Sequence, residues 1–255
     1  MPFSKFMEMV ENQRIFLSSV AALGSFDLFE GTLPFLNSMN ERGLFEALDH
    51  LVNHALPSAF GVGDRPHPKS VPAPRVFNSL FGATPIVPPV TLDQVLTAQA
   101  RWVDVQCWHG NARESMAMWK VYGGGEPSVA ITSSPARLVD AVSAGSETEI
   151  YIAPVVYLNY RESHFETSDP KAPFLHKFDA FEYEREVRLI AYDPLQNPTL
   201  ERHATGRHLP CDLRELVAGV TVSPTAPPWF LDLVDAIAWR SFGFGAKRSE
   251  IAPDV

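Results

Sequence analysis

Apolar residues recur at three- and four-residue spacing through Phe3, Phe6, Met7 and Val10, which predicts a short amphipathic helix over Phe3–Asn12. Arg14–Ser19 reads as a strand. Residues 24–31 then mix turn formers with large apolar side chains, as a packed loop does, with Asp27 and Glu30 placed to cap or cross-link it. Helical spacing returns over residues 40–55 through Leu44, Phe45, Leu48, Leu51 and Val52. From residue 55 to 89 the pattern breaks into X-Pro steps, each disfavouring helix at the residue before proline, so a surface excursion is expected at about residues 55–90.

Further along, residues 91–101 predict a helix capped by Thr91, residues 102–108 a strand closed by Gly110-Asn111, and residues 112–122 a helix ended by three glycines. A short strand over 129–133 precedes a helix over 135–143, with Ser134 as cap and Pro135 in its first turn. Residues 149–160 form a strong strand pattern, 213–218 a helical turn, 220–223 a strand and 228–241 a closing helix. Helices and strands are interspersed without the regular alternation of a doubly wound fold. The expected class is therefore α+β: one mixed domain over residues 1–255, with two small, largely antiparallel sheets and peripheral helices.

The stretch most laden with chemistry is residues 177–193, KFDAFEYEREVRLIAYD. Residues 181–192 are aromatic and branched and are stopped by Asp193-Pro194, so they read as a strand closed by a turn. Alternation would put Glu182, Glu184, Glu186 and Arg188 on one side and Phe181, Tyr183, Val187 and Leu189 on the other, with the apolar side toward the core. Like charges two apart on a strand face sit roughly 7 Å apart and repel unless water, a cation or a polar ligand separates them. Two readings follow: a structural one, in which the face is solvated and relieved by Arg188 or the Glu184–Glu186 pair is neutralised by Arg185, Arg188 or Lys177, and a functional one, in which the acids form a carboxylate site.

Composition narrows the function classes. A hydrophobic share of 45% supports a substantial core, while a net charge of -9 argues against non-specific binding of a nucleic acid backbone, which needs a basic surface. Cys107 and Cys211 lie far apart and outside any CxxC spacing, which points to a reducing cytoplasm, to no zinc site, and to two small buried apolar residues. No signal peptide pattern opens the chain and no apolar run is long enough to span a bilayer, so no membrane partner is expected. GxGxxG, Walker A, HExxH and GxSxG elements are all missing.

The ordered blocks CWHGNARESMAMWKVY, VAITSSPARL, VVYLNY, FEYEREVRLI, LPCDLRELVAGVTVSPTAPPWF and AKRSEI, with ENQRIFLSSVAALGSFDLFEG near the start, resemble the prokaryotic DUF2971 family over nearly the whole chain. Leu28 stands where that family more commonly has proline. Many of its members open with a further aromatic and basic strand, whereas Met1 here lies almost at the first helix, so the contribution of that strand is expected to be missing. The family's layout is in turn similar to ADP-ribosyltransferase-type folds, which bind NAD in a cleft between two small sheets. That likeness implies NAD as a substrate, with no certain cofactor, in a bacterial toxin or defence setting. It also implies residue roles. Glu184-Arg185-Glu186 is similar to the ExE element of such enzymes, with Glu186 on the nicotinamide ribose and the cationic sugar and Glu184 orienting the acceptor, while Ser18 or Ser133 supplies a serine.

Around these, His109 beside Trp108 would polarise a leaving group or satisfy a loop carbonyl. Glu114 suits the first turn of its helix, and Ser115, Trp119 and Tyr122 share one helical stripe, the two aromatics stacking on a ligand ring or packing into the core. Three function classes stand: an NAD-consuming transferase or glycohydrolase; a non-catalytic sensor or interaction module with a protein partner; and a nuclease using Glu184, Glu186 and Asp27 with a divalent metal, against which no basic run flanks those acids. Under the first, Glu186→Gln is expected to fold and lose activity.

Overall fold

The computed structural model describes residues 1–24, 27–34, 75–86, 90–124, 126–143, 145, 147–164 and 168–251. The helix expected over 40–55 and most of the proline-rich stretch lie outside them. Helix α1 (Phe3–Asn12) and strand β1 (Arg14–Ser19) have the expected bounds. Gln13 between them takes a left-handed φ of 50°, which ends the helix and turns the chain into the strand. Ser19 closes β1 and caps the short α2 (Val20–Leu23), its hydroxyl accepting from Ala22 N at 3.3 Å.

Within the stretch expected to be irregular, β2 (Arg75–Ser79) and β3 (Gly82–Ile86) form an antiparallel hairpin. Its turn is set by Gly82 at a φ of +95°, with the Ser79 hydroxyl donating to Gly82 O at 2.9 Å, and Pro85 is tolerated because this sheet has only two strands. Helix α3 (Leu92–Gln99) carries a full capping box between Thr91 and Gln94. Strand β4 (Asp104–His109) leads to α4 (Met116–Gly123), which starts four residues later than the expected 112. Then come β5 (Val129–Thr132) and α5 (Pro135–Ala141), the latter capped by Ser134 as expected.

The expected strand over 149–160 is two strands, β6 (Glu149–Pro154) and β7 (Val156–Leu158), which join different sheets. The break lies at Val155, whose N–H donates to Glu186 O at 2.9 Å. After α6 (Ala172–Leu175), β8 (His176–Phe178) and a 3-10 helix (Asp179–Glu184) comes β9 (Glu186–Tyr192). Strand β10 (Gly206–Pro210), α7 (Leu213–Leu216), β11 (Gly219–Val222), α8 (Pro228–Phe242) and β12 (Lys247–Arg248) complete the order.

The fold is α+β. A five-stranded antiparallel sheet runs β10-β1-β4-β9-β6, and a three-stranded sheet runs β12-β11-β5, with β12 parallel to β11. Two further strand pairs, β2-β3 and β7-β8, stand apart. The large sheet is covered on both faces. One packs Leu17 and Leu189 into the main core with α1, the three-stranded sheet, α7 and α8; the other packs Val105, Ile190 and Tyr192 against Val20, Ala100, Val103 and Phe174. The second face is the one that bears the charges of β9. No described helix is long and apolar enough to cross a membrane.

Residues 181–192 depart from the expected strand in two ways. The first half is a 3-10 helix, because Arg185 adopts a left-handed φ of 44° and breaks the extended run before β9 begins. The charged side is also the buried side: Glu184, Glu186 and Arg188 are buried, whereas Tyr183 is 51% exposed. Alternation groups side chains on a face, but a sheet covered on both sides gives each face an interior.

Candidate functional site

Strand register assembles the site. On β4 and β9, His109 lies opposite Glu186 and Cys107 opposite Arg188, so these four side chains share one face while Trp108, Val187 and Leu189 take the other. Three further elements bring partners to that face. The loop after α2 delivers Glu30, β8 delivers Lys177, and the 3-10 helix ends on Glu184.

The result is a continuous ladder of ions. Glu30 takes Arg188 with two bonds, Oε1 to Nη1 at 2.6 Å and Oε2 to Nη2 at 2.8 Å. Arg188 Nε donates to Glu186 Oε1 at 2.5 Å, and its Nη1 also donates to the Phe174 carbonyl at 2.8 Å. Lys177 Nζ then bridges Glu186 Oε2 at 3.0 Å and Glu184 Oε2 at 2.7 Å, with the Phe181 ring 4.7 Å from the ammonium. The Tyr122 hydroxyl donates to Glu184 Oε1 at 3.0 Å, and His109 Nδ1 lies 2.9 Å from the Glu184 carbonyl, its ring 4.8 Å edge-on from Tyr122. Three carboxylates face two cations, so with all five groups ionised the ladder carries one net negative charge, 2 − 3 = −1.

Electrostatics follow from this arrangement. Burial opposes ionisation of Glu186, yet the Arg188 guanidinium and the Lys177 ammonium hold its carboxyl down to about 2. Burial pushes the Glu30 carboxyl upward, and the two-bonded guanidinium opposes the rise. Arg188 is desolvated too, but Glu30 and Glu186 keep it charged more firmly than in water. Burial first, then the charge of Glu184, raises the Tyr122 phenol, which therefore stays a donor. Burial likewise lifts the Cys107 thiol, so it is no ready nucleophile.

Beside the ladder lies a cleft of about 330 Å³ lined by Gly110, Val155, Tyr157, Arg185, Glu186 and Val187. Tyr157 fixes its wall by accepting from Glu186 N at 2.7 Å. Gly110 fixes the opposite rim: its N–H donates to Arg185 O at 2.8 Å, an approach so close that a Cβ there would meet that oxygen at 3.1 Å.

The structure therefore brings together Glu184, Glu186, Arg188, His109 and Tyr122, with Ser115 at the edge of an adjoining depression. Others serve elsewhere. Ser18 sits on β1 opposite Val105, several residues along the sheet from the His109–Glu186 row, and Ser133 donates to Leu216 O at 2.7 Å at the end of the smaller sheet. Trp108 packs toward the main core and donates to Gln106 at 3.0 Å. Glu114 precedes α4 instead of lying in its first turn; it accepts from Trp119 Nε1 at 3.0 Å, Ser249 Oγ at 2.5 Å and Glu250 N at 3.0 Å, which also commits Trp119 to a structural bond. Asp27, named for a metal site, caps Phe29 N at 2.9 Å, and Glu184 and Glu186 are already held by cations; no group of three His, Cys, Asp or Glu side chains suited to a metal occurs among the described residues.

Of the two neutralising arginines considered for the acids, Arg188 does pair and Arg185 does not, whereas Lys177 serves both carboxylates. Tyr157 carried no sequence signal beyond a strand aromatic, and Glu30 read only as a loop cross-link. The chain matches no protein-family model, no curated protein and no solved structure.

Proposed function

We propose that the protein is an ADP-ribosyltransferase-like enzyme that breaks the nicotinamide–ribose bond of NAD in the cleft beside Glu186. The observation that supports this reading most is a carboxylate held ionised in a water-poor ladder, on a residue that also lines a cleft of about 330 Å³, with one excess negative charge in the ladder. As the ribose C1′–N bond breaks, the bonding pair leaves with nicotinamide, which becomes neutral, and positive charge passes to the sugar ring. A fixed carboxylate near that charge commonly contributes about 3 kcal/mol. An acceptor hydroxyl or water then bonds to C1′ and loses its proton to solvent. In this reading Glu184, with Tyr122 on one oxygen and Lys177 on the other, orients the acceptor.

A second reading, a non-catalytic binding module, is favoured by one observation. Both Glu186 oxygens are engaged and its side chain is 1% exposed, as suits a brace. Release of free nicotinamide from NAD by the purified full chain separates the two. Turnover by the wild type, reduced at least a hundredfold in a folded Glu184→Gln variant, is expected; NAD left intact by the wild type assigns the module.

A further inference from the structure

A depression of about 530 Å³ adjoins the cleft and shares Arg185 with it, its other polar lining residues being Asn111, Arg113, Glu114, Ser115 and Tyr183. Neither the Arg113 nor the Arg185 guanidinium has a hydrogen bond or ion pair among the described residues, although the chain carries nine more acidic than basic side chains. Among the described residues Glu114 is the only acid in the lining, and its carboxylate is committed to Ser249, Trp119 and the Glu250 N–H. Two arginines against one acid leave the depression one unit positive, 2 − 1 = +1. Ser115 makes no side-chain cap to α4, and the Tyr183 ring is half exposed beside the arginines.

Arg185 is also held where a side chain costs energy. Its left-handed φ of 44° is unfavourable for a long side chain, by about 1 kcal/mol or more, and a glycine would occupy the same backbone at ease. This backbone closes the 3-10 helix, its N–H donating to Glu182 O at 3.1 Å and its carbonyl accepting from Gly110 N at 2.8 Å, and it fixes where the side chain leaves the shared wall of the two concavities.

We infer that this depression is a diphosphate subsite, in which Arg113 and Arg185 bind the two phosphoryl groups of a nucleoside diphosphate and Tyr183 stacks on its base. Guanidinium groups donate two parallel bonds to phosphate oxygens, and an aromatic ring accepts any base by its face. The assignment rests on the cleft being the nicotinamide ribose site only in its fuller form, where one dinucleotide spans both concavities across Arg185; the diphosphate subsite itself stands without it.

Calorimetric titration of the full chain with ADP, adenosine and inorganic pyrophosphate tests the subsite directly. Expected are binding of ADP, weaker binding of pyrophosphate, no binding of adenosine, and affinity for ADP falling at least tenfold in Arg113→Gln and in Arg185→Gly and on raising salt from 50 to 500 mM. Arg185→Gly should keep its melting temperature because it relieves the backbone, which separates lost binding from lost folding. No ADP binding by the wild type, or unchanged affinity in both folded variants, overturns the subsite; pyrophosphate binding as tightly as ADP overturns the role of Tyr183. Turnover of NAD with unchanged KM in both variants would sink the fuller form, in which one dinucleotide spans both concavities, while leaving the transferase reading intact, and ADP binding without NAD turnover would leave the subsite standing and sink the transferase reading.

Discussion

Arg188 and Glu30 lie 158 positions apart in sequence and form a two-bonded ion pair with 0% and 1% side-chain exposure. The pair ties the loop after α2 to β9, an interior strand of the five-stranded sheet, so the loop's position depends on it. Removing one partner of a buried pair leaves an uncompensated charge, at a cost of about 3–5 kcal/mol. Glu30→Ala should lose about that much in urea unfolding at pH 7. A loss under about 1 kcal/mol would show that the brace contributes little.

Glu186 should make stability fall in acid. Its folded pKa of about 2 lies below its unfolded value near 4.5, so its contribution is fully present above about pH 5 and is lost as pH falls through 4.5 toward 2. The shift corresponds to about 3 kcal/mol. Glu186→Gln should therefore be less stable than the wild type by about that amount at pH 7, with the two unfolding curves converging near pH 2. The sequence alone suggests a variant that folds and loses activity; burial between Arg188 and Lys177 adds a cost in stability. A constant difference from pH 7 to pH 2 would refute this account.

Lys177→Met should behave in the opposite sense over a higher range. Without the ammonium that bridges Glu184 and Glu186 at 2.7 and 3.0 Å, the two carboxylates repel in a dry setting and one of them holds its proton to higher pH. A folded pKa raised above the unfolded one gives stability that is present at low pH and lost as pH rises. The variant should lose more melting temperature from pH 5 to pH 7 than the wild type, in which the raised Glu30 carboxyl acts in the same sense but the bridged pair does not. An equal change in the two proteins would count against the bridge.

How much of this was legible beforehand differs between elements. Helix α1, strand β1 and the caps at Thr91 and Ser134 follow from periodicity and from side chains that bond their own neighbours, and these are local physics that needs no partner. The hairpin at β2-β3 was hidden because proline steps signal only what the backbone avoids, whereas a two-stranded pair accepts Pro85. Helix α4 starts later than its composition predicts, since residues 112–115 have helical composition but Glu114 is drawn to Ser249 and Glu250.

The sequence by itself determined the α+β class, most element positions, and the fact that Glu186 and Arg188 would share a face, because side-chain alternation along a strand is a property of the backbone alone. Only the tertiary structure decided that this face is interior and that Lys177 and Glu30 complete the ladder. Both depend on what covers the sheet and on contacts between distant segments, chief among them the Glu30–Arg188 pair. The turn at Arg185, which separates the two carboxylates into a helix end and a strand start, was likewise set by its neighbours. A left-handed arginine is unfavourable alone and is held by the Gly110 bond to its carbonyl, a contact no local pattern announces.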